Sequence, residues 1–284
     1  MFALVKRNLM LYFRNRSGVF FSLFGALISF VLYLVFLKQS IKSGWSAVPD
    51  SSQLLDNWLI AGTLTITGIT TSLTALSQMV KDEEQKIDLD LQLTDIGPVA
   101  VRGSYLIAAS VIALVMQAIV YVVMTGYFYF TDSLDVSVNT LPEVFVIMVL
   151  SALLSTAVNA IIVGLIHSVD SLSKLASLIG TASGFLVGTY VPLGSLPDFA
   201  QLLMKLTPGT YIAALYRQAL MTPKLTSTFA GAPGQLEHFE RVMGVKIEWS
   251  TLLTHSQSYG LVIGMLAVAA IIVAVQGLKK RRFA

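Results

Sequence analysis

Six long runs of this chain contain no Asp, Glu, Lys or Arg: 18–37, 58–80, 105–130, 144–165, 175–193 and 259–278. A helix needs about 20 residues to cross a hydrocarbon core of roughly 30 Å, and each run is long enough to do so. Hydrocarbon offers no partner to free backbone N–H and C=O groups, so such runs must be helical. A β-barrel would show alternating segments of about 10 residues instead. The 284 residues are 55% hydrophobic and only 12% charged, which no soluble domain would tolerate. The fold class read from the sequence is an all-α membrane protein with six transmembrane helices. The uncharged interiors also bound the function. Pumps driven by protons or sodium keep a carboxylate at membrane depth, so transport by this chain would draw its energy from a partner.

Charge placement sets the expected orientation, because basic residues on short loops and tails stay cytoplasmic. Lys6, Arg7, Arg14 and Arg16 precede the first run, and Lys279, Lys280, Arg281 and Arg282 follow the last. Lys81, Lys86, Arg102 and Lys174 fall on the same side, against Lys38 and Lys42 on the short loops opposite. Lys205, Arg217, Lys224, Arg241 and Lys246 lie on a longer opposite segment that obeys the rule poorly. The expectation is a multi-pass protein of the cell (plasma) membrane, bacterial in type, with both termini cytoplasmic. The first run is too long for a signal-peptide core and no small-x-small site follows it, so it reads as a retained anchor. Absent cysteine excludes disulfides and thiol chemistry.

The chain divides into four stretches. Residues 1–17 read as a cytoplasmic amphipathic interfacial helix, with Phe2, Val5, Leu9 and Tyr12 at helical spacing and Arg7 and Arg14 opposite. Residues 18–193 carry the first five spans and, at 81–98, a charged cytoplasmic element. There Lys81, Asp82, Glu83, Glu84, Lys86, Asp88, Asp90 and Asp95 surround Ile87, Leu89, Leu91 and Leu93. The alternation is that of a strand, but a strand here has no sheet to join, so a short helix with mixed faces is expected. Gly97–Pro98 ends it. Apolar residues among the charges argue for a docking surface, against the plainer reading of a solvated hairpin. Residues 194–258 form an external segment with two short helical stretches, 199–206 and 210–221, broken at Pro208–Gly209. Both are too short to span and read as re-entrant or interfacial. A small polar lobe follows at 222–257, and 259–284 holds the last span and a basic tail. No internal repeat supports an inverted-repeat transporter.

Polar residues inside the spans are few. Thr63, Thr67, Thr70 and Thr74 form a hydroxyl stripe on one face of the second span. Such hydroxyls can bond back to carbonyls of the preceding turn, or can wall a path for an amphiphilic substrate. Ser151, Ser155 and Asn159 share a face of the fourth span, and the Asn159 amide must meet another helix or a cavity. Gly180, Gly184 and Gly188 repeat every four residues in the fifth span, a device for close helix packing within the chain or between subunits. His167, His238 and His255 have no metal-ligand spacing, and no metal site is expected. No G-x-x-x-x-G-K-[ST] loop is present, so no nucleotide is hydrolysed by that route. No His lies mid-span to serve an intramembrane serine protease.

Three stretches carry a family resemblance. They are Lys6-Arg7-Asn8-Leu9 with Phe13-Arg14-Asn15-Arg16, the acidic loop from Lys81 to Pro98, and Tyr190-Val191-Pro192-Leu193-Gly194-Ser195-Leu196-Pro197 with Thr207-Pro208-Gly209 and Tyr216-Arg217-Gln218. With these, essentially the whole chain resembles the membrane subunits of type-2 ABC transporters, the exporter permeases for drugs, polysaccharides, lipids and haemolysin-like products. The resemblance implies six spans, an N-terminal amphipathic helix, a cytoplasmic coupling helix between spans 2 and 3, and re-entrant helices before span 6. It implies that Glu83, Glu84, Asp88 and Asp95 meet a cytoplasmic ABC ATPase subunit, and that spans 2 and 5 line a central cavity. ATP and Mg would then reside on that ATPase, with no cofactor in this chain, and the chain would be a transport subunit and not an enzyme. The implied partners are a second permease copy or a homologue, the lipid bilayer and a small amphiphilic drug, lipid or peptide-like substrate, with no nucleic acid. In one respect the chain departs from the family, whose loop often carries Gly-Thr-Leu after an acidic residue. Here Glu84-Gln85-Lys86-Ile87-Asp88 has no glycine. The alternative is a non-transport immunity, sensor or scaffold subunit.

Overall fold

A computed structural model describes residues 1–45, 48, 50–92, 97–135 and 137–280. It is helical throughout its long elements. Helix α1 (Phe2–Arg14) is joined by Asn15 to α2 (Arg16–Ser22), whose first turn is capped by the Asn15 side chain accepting the Gly18 N–H at 3.0 Å. Helix α3 (Phe24–Leu32) runs through a π-helical turn, Tyr33–Leu37, into α4 (Lys38–Gly44). There follow α5 (Ser51–Glu84), the short α6 (Ile87–Gln92), α7 (Gly97–Asp132), α8 (Leu141–Val163) and α9 (Val169–Leu186). Beyond them lie α10 (Asp198–Lys205), α11 (Pro208–Thr228), α12 (Pro233–Val242) and α13 (His255–Lys280).

Among the described residues, five helical segments are long and apolar enough to cross a membrane: Phe24–Gly44, Ser51–Glu84, Gly97–Asp132, Val138–Val163 and His255–Gly277. The run 175–193, read as a sixth span, is not among them. Helix α9 starts early, at Val169, in a polar turn containing an exposed Asp170–Lys174 ion pair. It stops at Leu186, and Gly188 adopts φ +70, a left-handed conformation that ends the helix. Its apolar part, 175–186, is therefore only about 18 Å long at 1.5 Å per residue.

Helix α5 is the axle. From Leu54 to Thr67 every residue is buried, and α3, α7, α8, α9 and α11 pack around it. This is also the span richest in hydroxyls. In a bilayer the apolar solvent takes the apolar helices and the more polar helix goes inside. Helix α13 shows the complement, since Ile263, Val268, Ile271 and Val275 stand exposed where lipid would lie. The larger core fills one end of the bundle, where Trp58, Tyr33, Phe128, Tyr216, Phe239 and Met243 meet, and a smaller one fills the other around Leu76, Val80, Tyr105 and Val163. A Cβ on Gly103 would touch Met1, and one on Gly277 would lie 3.9 Å from Arg102. The start of the chain, the start of α7 and the end of α13 thus share one end, called here the termini end.

The π turn has a local purpose. It replaces the usual bond by one spanning five residues, from the Lys38 N–H to the Tyr33 carbonyl. Side chains five apart then point the same way. Tyr33 donates its hydroxyl to Asp56 at 2.8 Å, and the Lys38 ammonium pairs with Asp56 at 2.9 Å.

Candidate functional site

The charged element at the termini end is built around a residue that belongs to α5. Asp82 is completely buried two residues before that helix ends. Its Oδ2 accepts from Arg7 Nη1 at 2.7 Å and from the Tyr105 hydroxyl at 2.5 Å, and its Oδ1 accepts from Gln78 Nε2 at 2.6 Å. One carboxylate thus ties α1, α5 and α7 together. The hydrogen bond to Asp82 raises the Arg7 guanidinium above its ordinary range, against desolvation, so its charge is secure. Asn8 extends the joint, taking a 3.0 Å bond from Arg7 and reaching Ser104 at 3.5 Å.

This geometry corrects the reading of the first helix. The face turned to the bundle is Leu4, Asn8 and Tyr12, while Phe2 stands 83% exposed. Arg7, expected on the outer basic face, points inward because a buried carboxylate is there to receive it. Tyr12 is half of a second tie, with its hydroxyl 2.8 Å from Ser22 Oγ.

After Glu84 the chain reverses at Lys86, which adopts φ 61, and enters α6. The alternating Ile87–Leu91 stretch is a helix, as expected in the absence of a sheet. Leu91 packs on the termini-end core while Leu89 and Asp90 face outward. The acidic residues singled out as a docking set part company. Glu84 Oε2 accepts the backbone N–H of Val169 at 3.2 Å, placing a negative charge at the start of α9. Glu83 and Asp88 stand in the wall of a cavity between α7 and α13. Asp95 lies outside the described residues.

The hydroxyl stripe also divides. A cavity of about 930 Å³ opens between α2–α3, α5 and α9. Thr70, Thr74 and Ser77 wall it from α5, and Ser173, Ser177 and Thr181 from α9. Phe21, Phe24, Leu32 and Phe36 supply the apolar side. Thr63 and Thr67 are sealed in the interior and do not line it. Thr67, Thr70 and Thr74 each donate to a carbonyl four residues back, at 2.8, 3.0 and 2.9 Å, while Thr63 Oγ1 is buried without a partner. Asn159 is likewise away from the cavity. Its Nδ2 donates to the Ile69 carbonyl at 2.8 Å and to Ser72 Oγ at 2.9 Å, stapling α8 to α5.

The three glycines do not make one packing stripe. Gly180 lines the cavity, and its carbonyl approaches Gly25 of α3. Gly184 makes room for the ring of Tyr190, which folds back over the end of α9. Gly188 lies past the helix, in the turn that its φ of +70 permits.

Two charged sites were not singled out in the sequence. At the end remote from the termini, Lys38 bridges Asp56 at 2.9 Å and Asp132 at 2.8 Å, tying the first, second and third membrane segments. Asp56 lies two residues before the uncharged run 58–80, yet within the same helix, α5. Arg217 of α11 is 1% exposed and has no carboxylate partner among the described residues. Carbonyls hold it instead: Gly188 at 2.7 Å, Val187 at 3.2 Å and Gly244 at 3.2 Å. The guanidinium also lies 5.1 Å over the Trp58 ring. Two of those carbonyls end α9, where the helix dipole is negative.

Among the described residues the arrangement offers two large cavities and a set of ties between helices, and no constellation for bond-breaking chemistry. Among the described residues no group of His, Cys, Asp and Glu could hold a metal ion. No curated protein matches the chain closely. A protein-family model described as ABC-2 type transporter matches residues 1–221, from α1 through most of α11. Membrane domains of this family lack a nucleotide-binding site and work with ABC ATPase subunits. With its long apolar helices and its match over more than half its length, this chain belongs to the ABC-2 type transporter family, as a multi-pass membrane permease subunit.

Proposed function

We propose that this permease is an exporter subunit that moves an amphiphilic drug, lipid or peptide-like molecule by alternating access. Its termini end faces the cytoplasm, as the basic tails direct. Two copies, or one copy and a homologue, pair with two ATPase subunits that dock on the 81–98 element. The observation that carries this reading is the joint at Asp82. A push on α6 enters the end of α5, and Arg7 and Tyr105 pass it to α1 and α7 through bonds of 2.7 and 2.5 Å. Helix α5 walls the 930 Å³ cavity further along its length, so a tilt of that helix changes the cavity's shape. Hydroxyls on two walls and phenylalanines on the third suit a substrate that is polar on one side and apolar on the other.

The test targets the outward side of α6. Leu89, 53% exposed at the edge of the cavity between α7 and α13, and Asp90 are both on the outer side of α6, so Leu89→Asp with Asp90→Lys should leave insertion intact. Co-purified with an ABC ATPase partner, the double variant should lose ATPase association or substrate-stimulated turnover. Unchanged association and turnover would refute docking there. The same assay on Glu84→Lys should show a larger loss, because that change also removes the charge at the start of α9.

A further inference from the structure

The hydroxyls that α5 and α9 present to the 930 Å³ cavity have already given their protons away. On α5, Thr70 donates to the Ile66 carbonyl at 3.0 Å, Thr74 to that of Thr70 at 2.9 Å and Ser77 to that of Thr74 at 2.7 Å. On α9, Ser173 donates to the Val169 carbonyl at 2.8 Å, Ser177 to that of Ser173 at 3.2 Å and Thr181 to that of Ser177 at 3.0 Å. Ser22 of α2 does the same toward Val19 at 2.7 Å, which leaves the Tyr12 hydroxyl, 2.8 Å away, to act as donor to Ser22. A hydroxyl carries one proton and two lone pairs. With the proton bound into the preceding turn, the lone pairs are what remains for the cavity.

Little else on the wall supplies the missing donors. Among the described residues no Lys, Arg, His, Asn, Gln or Trp lines the cavity, and no Asp or Glu does either. The backbone N–H groups where α2 and α9 begin are engaged too. The Asn15 side chain accepts that of Gly18 at 3.0 Å, and Glu84 accepts that of Val169 at 3.2 Å. The exception is the Tyr190 hydroxyl, a single donor at the end remote from the termini. The phenylalanines of the apolar side add to the bias, because the face of an aromatic ring is negative. A cargo O–H or N–H therefore finds a partner on this wall. A group that can only accept must first win a proton back from a helix carbonyl, trading one bond for another. A phosphate or carboxylate meets lone pairs, and an ammonium meets no counter-ion, so either charge would be buried uncompensated.

The geometry points to a substrate class for this cavity: a neutral amphiphile whose polar edge carries hydroxyl or amide N–H donors. Its donors lie on the acceptor oxygens of α5 and α9, and its apolar flank lies against Phe21, Phe24 and Phe36. This deepens the reading of the cavity as the transport path and rests on it.

The test uses three probes with one acyl chain: a monoacylglycerol with its hydroxyls free, the same molecule with both hydroxyls methylated, and the same molecule phosphorylated. Binding to the full chain in nanodiscs is measured by native mass spectrometry. Turnover of an ABC ATPase partner is followed on the complex in the same nanodiscs. The free monoacylglycerol should bind better than the methylated form by about fivefold for each hydroxyl capped, and the phosphate should bind worst. Ser177→Asn puts amide N–H donors at an exposed position on the α9 wall. It should raise binding of the methylated form about fivefold and leave that of the free form nearly unchanged, a gain that mere damage to the fold would not produce. Equal binding of the free and methylated forms, tightest binding of the phosphate, binding of none of the three, or no gain in Ser177→Asn would each overturn the proposal. If Ser177→Asn fails to fold, the ranking on the wild type decides alone. The expected ranking with no effect on ATPase turnover would uphold the acceptor wall and count against the transport path. Equal binding with equal stimulation by all three would do the reverse.

Discussion

Removing Arg7 should damage this protein more than neutralising the aspartate it serves, and removing both should cost less than the sum. In the wild type Asp82 has no exposed surface and accepts three hydrogen bonds, from Arg7, Tyr105 and Gln78. Arg7→Gln leaves that carboxylate charged and buried with two neutral donors. Stranding a buried charge costs about 3–5 kcal/mol. The Arg7 side chain is 30% exposed, so water already screens part of the pair, which brings the expected loss to about 2–3 kcal/mol. Asp82→Asn keeps the shape. Its carbonyl can still accept from Arg7 and Tyr105, and its amide can donate to Gln78 once that amide turns over. Only the charge assistance is lost, about 1–2 kcal/mol. In the double variant no buried charge remains, so the loss should stay at about 1–2 kcal/mol, where additivity would give about 3–5. Reversible unfolding in mixed micelles, followed by tryptophan fluorescence, measures the three values. Amide hydrogen exchange should show α1 loosening most in Arg7→Gln. A double variant as unstable as the sum of the singles would refute the joint.

Three further outcomes are expected. Arg217→Met removes three bonds to buried carbonyls and should cost about 3–5 kcal/mol, with new protease cleavage near 187–197. Arg217→Lys should recover little, since one ammonium cannot fork to carbonyls on two segments. Gly184→Ala should lower stability by about 1–3 kcal/mol by displacing the Tyr190 ring, whereas Gly180→Ala, which meets nothing within 4 Å, should stay within about 0.5 kcal/mol. Thr70→Val and Thr74→Val should shift the substrate concentration that half-stimulates the coupled ATPase, and Thr67→Val should not. Equal effects at all three would argue that the 930 Å³ cavity is not on the path.

The membrane helices were legible because lipid imposes one rule on every buried backbone group, and the runs without charge obey it. The central place of α5 was legible in principle too, since a threonine-rich span is the one least at home in lipid. The end of α9 was misread because the apolar run continues to Leu193 while the backbone does not. Tyr190 and Pro192 follow a left-handed Gly188, and an apolar tally is blind to dihedral angles. Asp82 was visible only as one charge in a charged run. Its partner Arg7 is 75 residues away, and each looked like an ordinary surface ion. Arg217 was placed on the right helix with no sign of burial, because backbone carbonyls leave no mark in a sequence. Helix α12 lies inside what read as a polar lobe, although Pro233 at its start and Leu236, Phe239 and Met243 at helical spacing carry the signal.

The π turn in the first membrane segment amounts to one surplus residue locked into a helix. Deleting any one residue of 34–37 would let that turn relax to the ordinary register. The cost would not fall at the deletion. Everything on one side of it would rotate by about 100° relative to the other, one residue's share of a 3.6-residue turn. Either Lys38 swings away from Asp56 and Asp132, or Gly25 swings away from Gly180 and a bulkier neighbour is driven into α9. The rod is thus two faces held out of phase by a single residue, one keyed to carboxylates and the other to a glycine contact. An adjustment of phase in that turn would be felt at the cavity and at the ion pairs together.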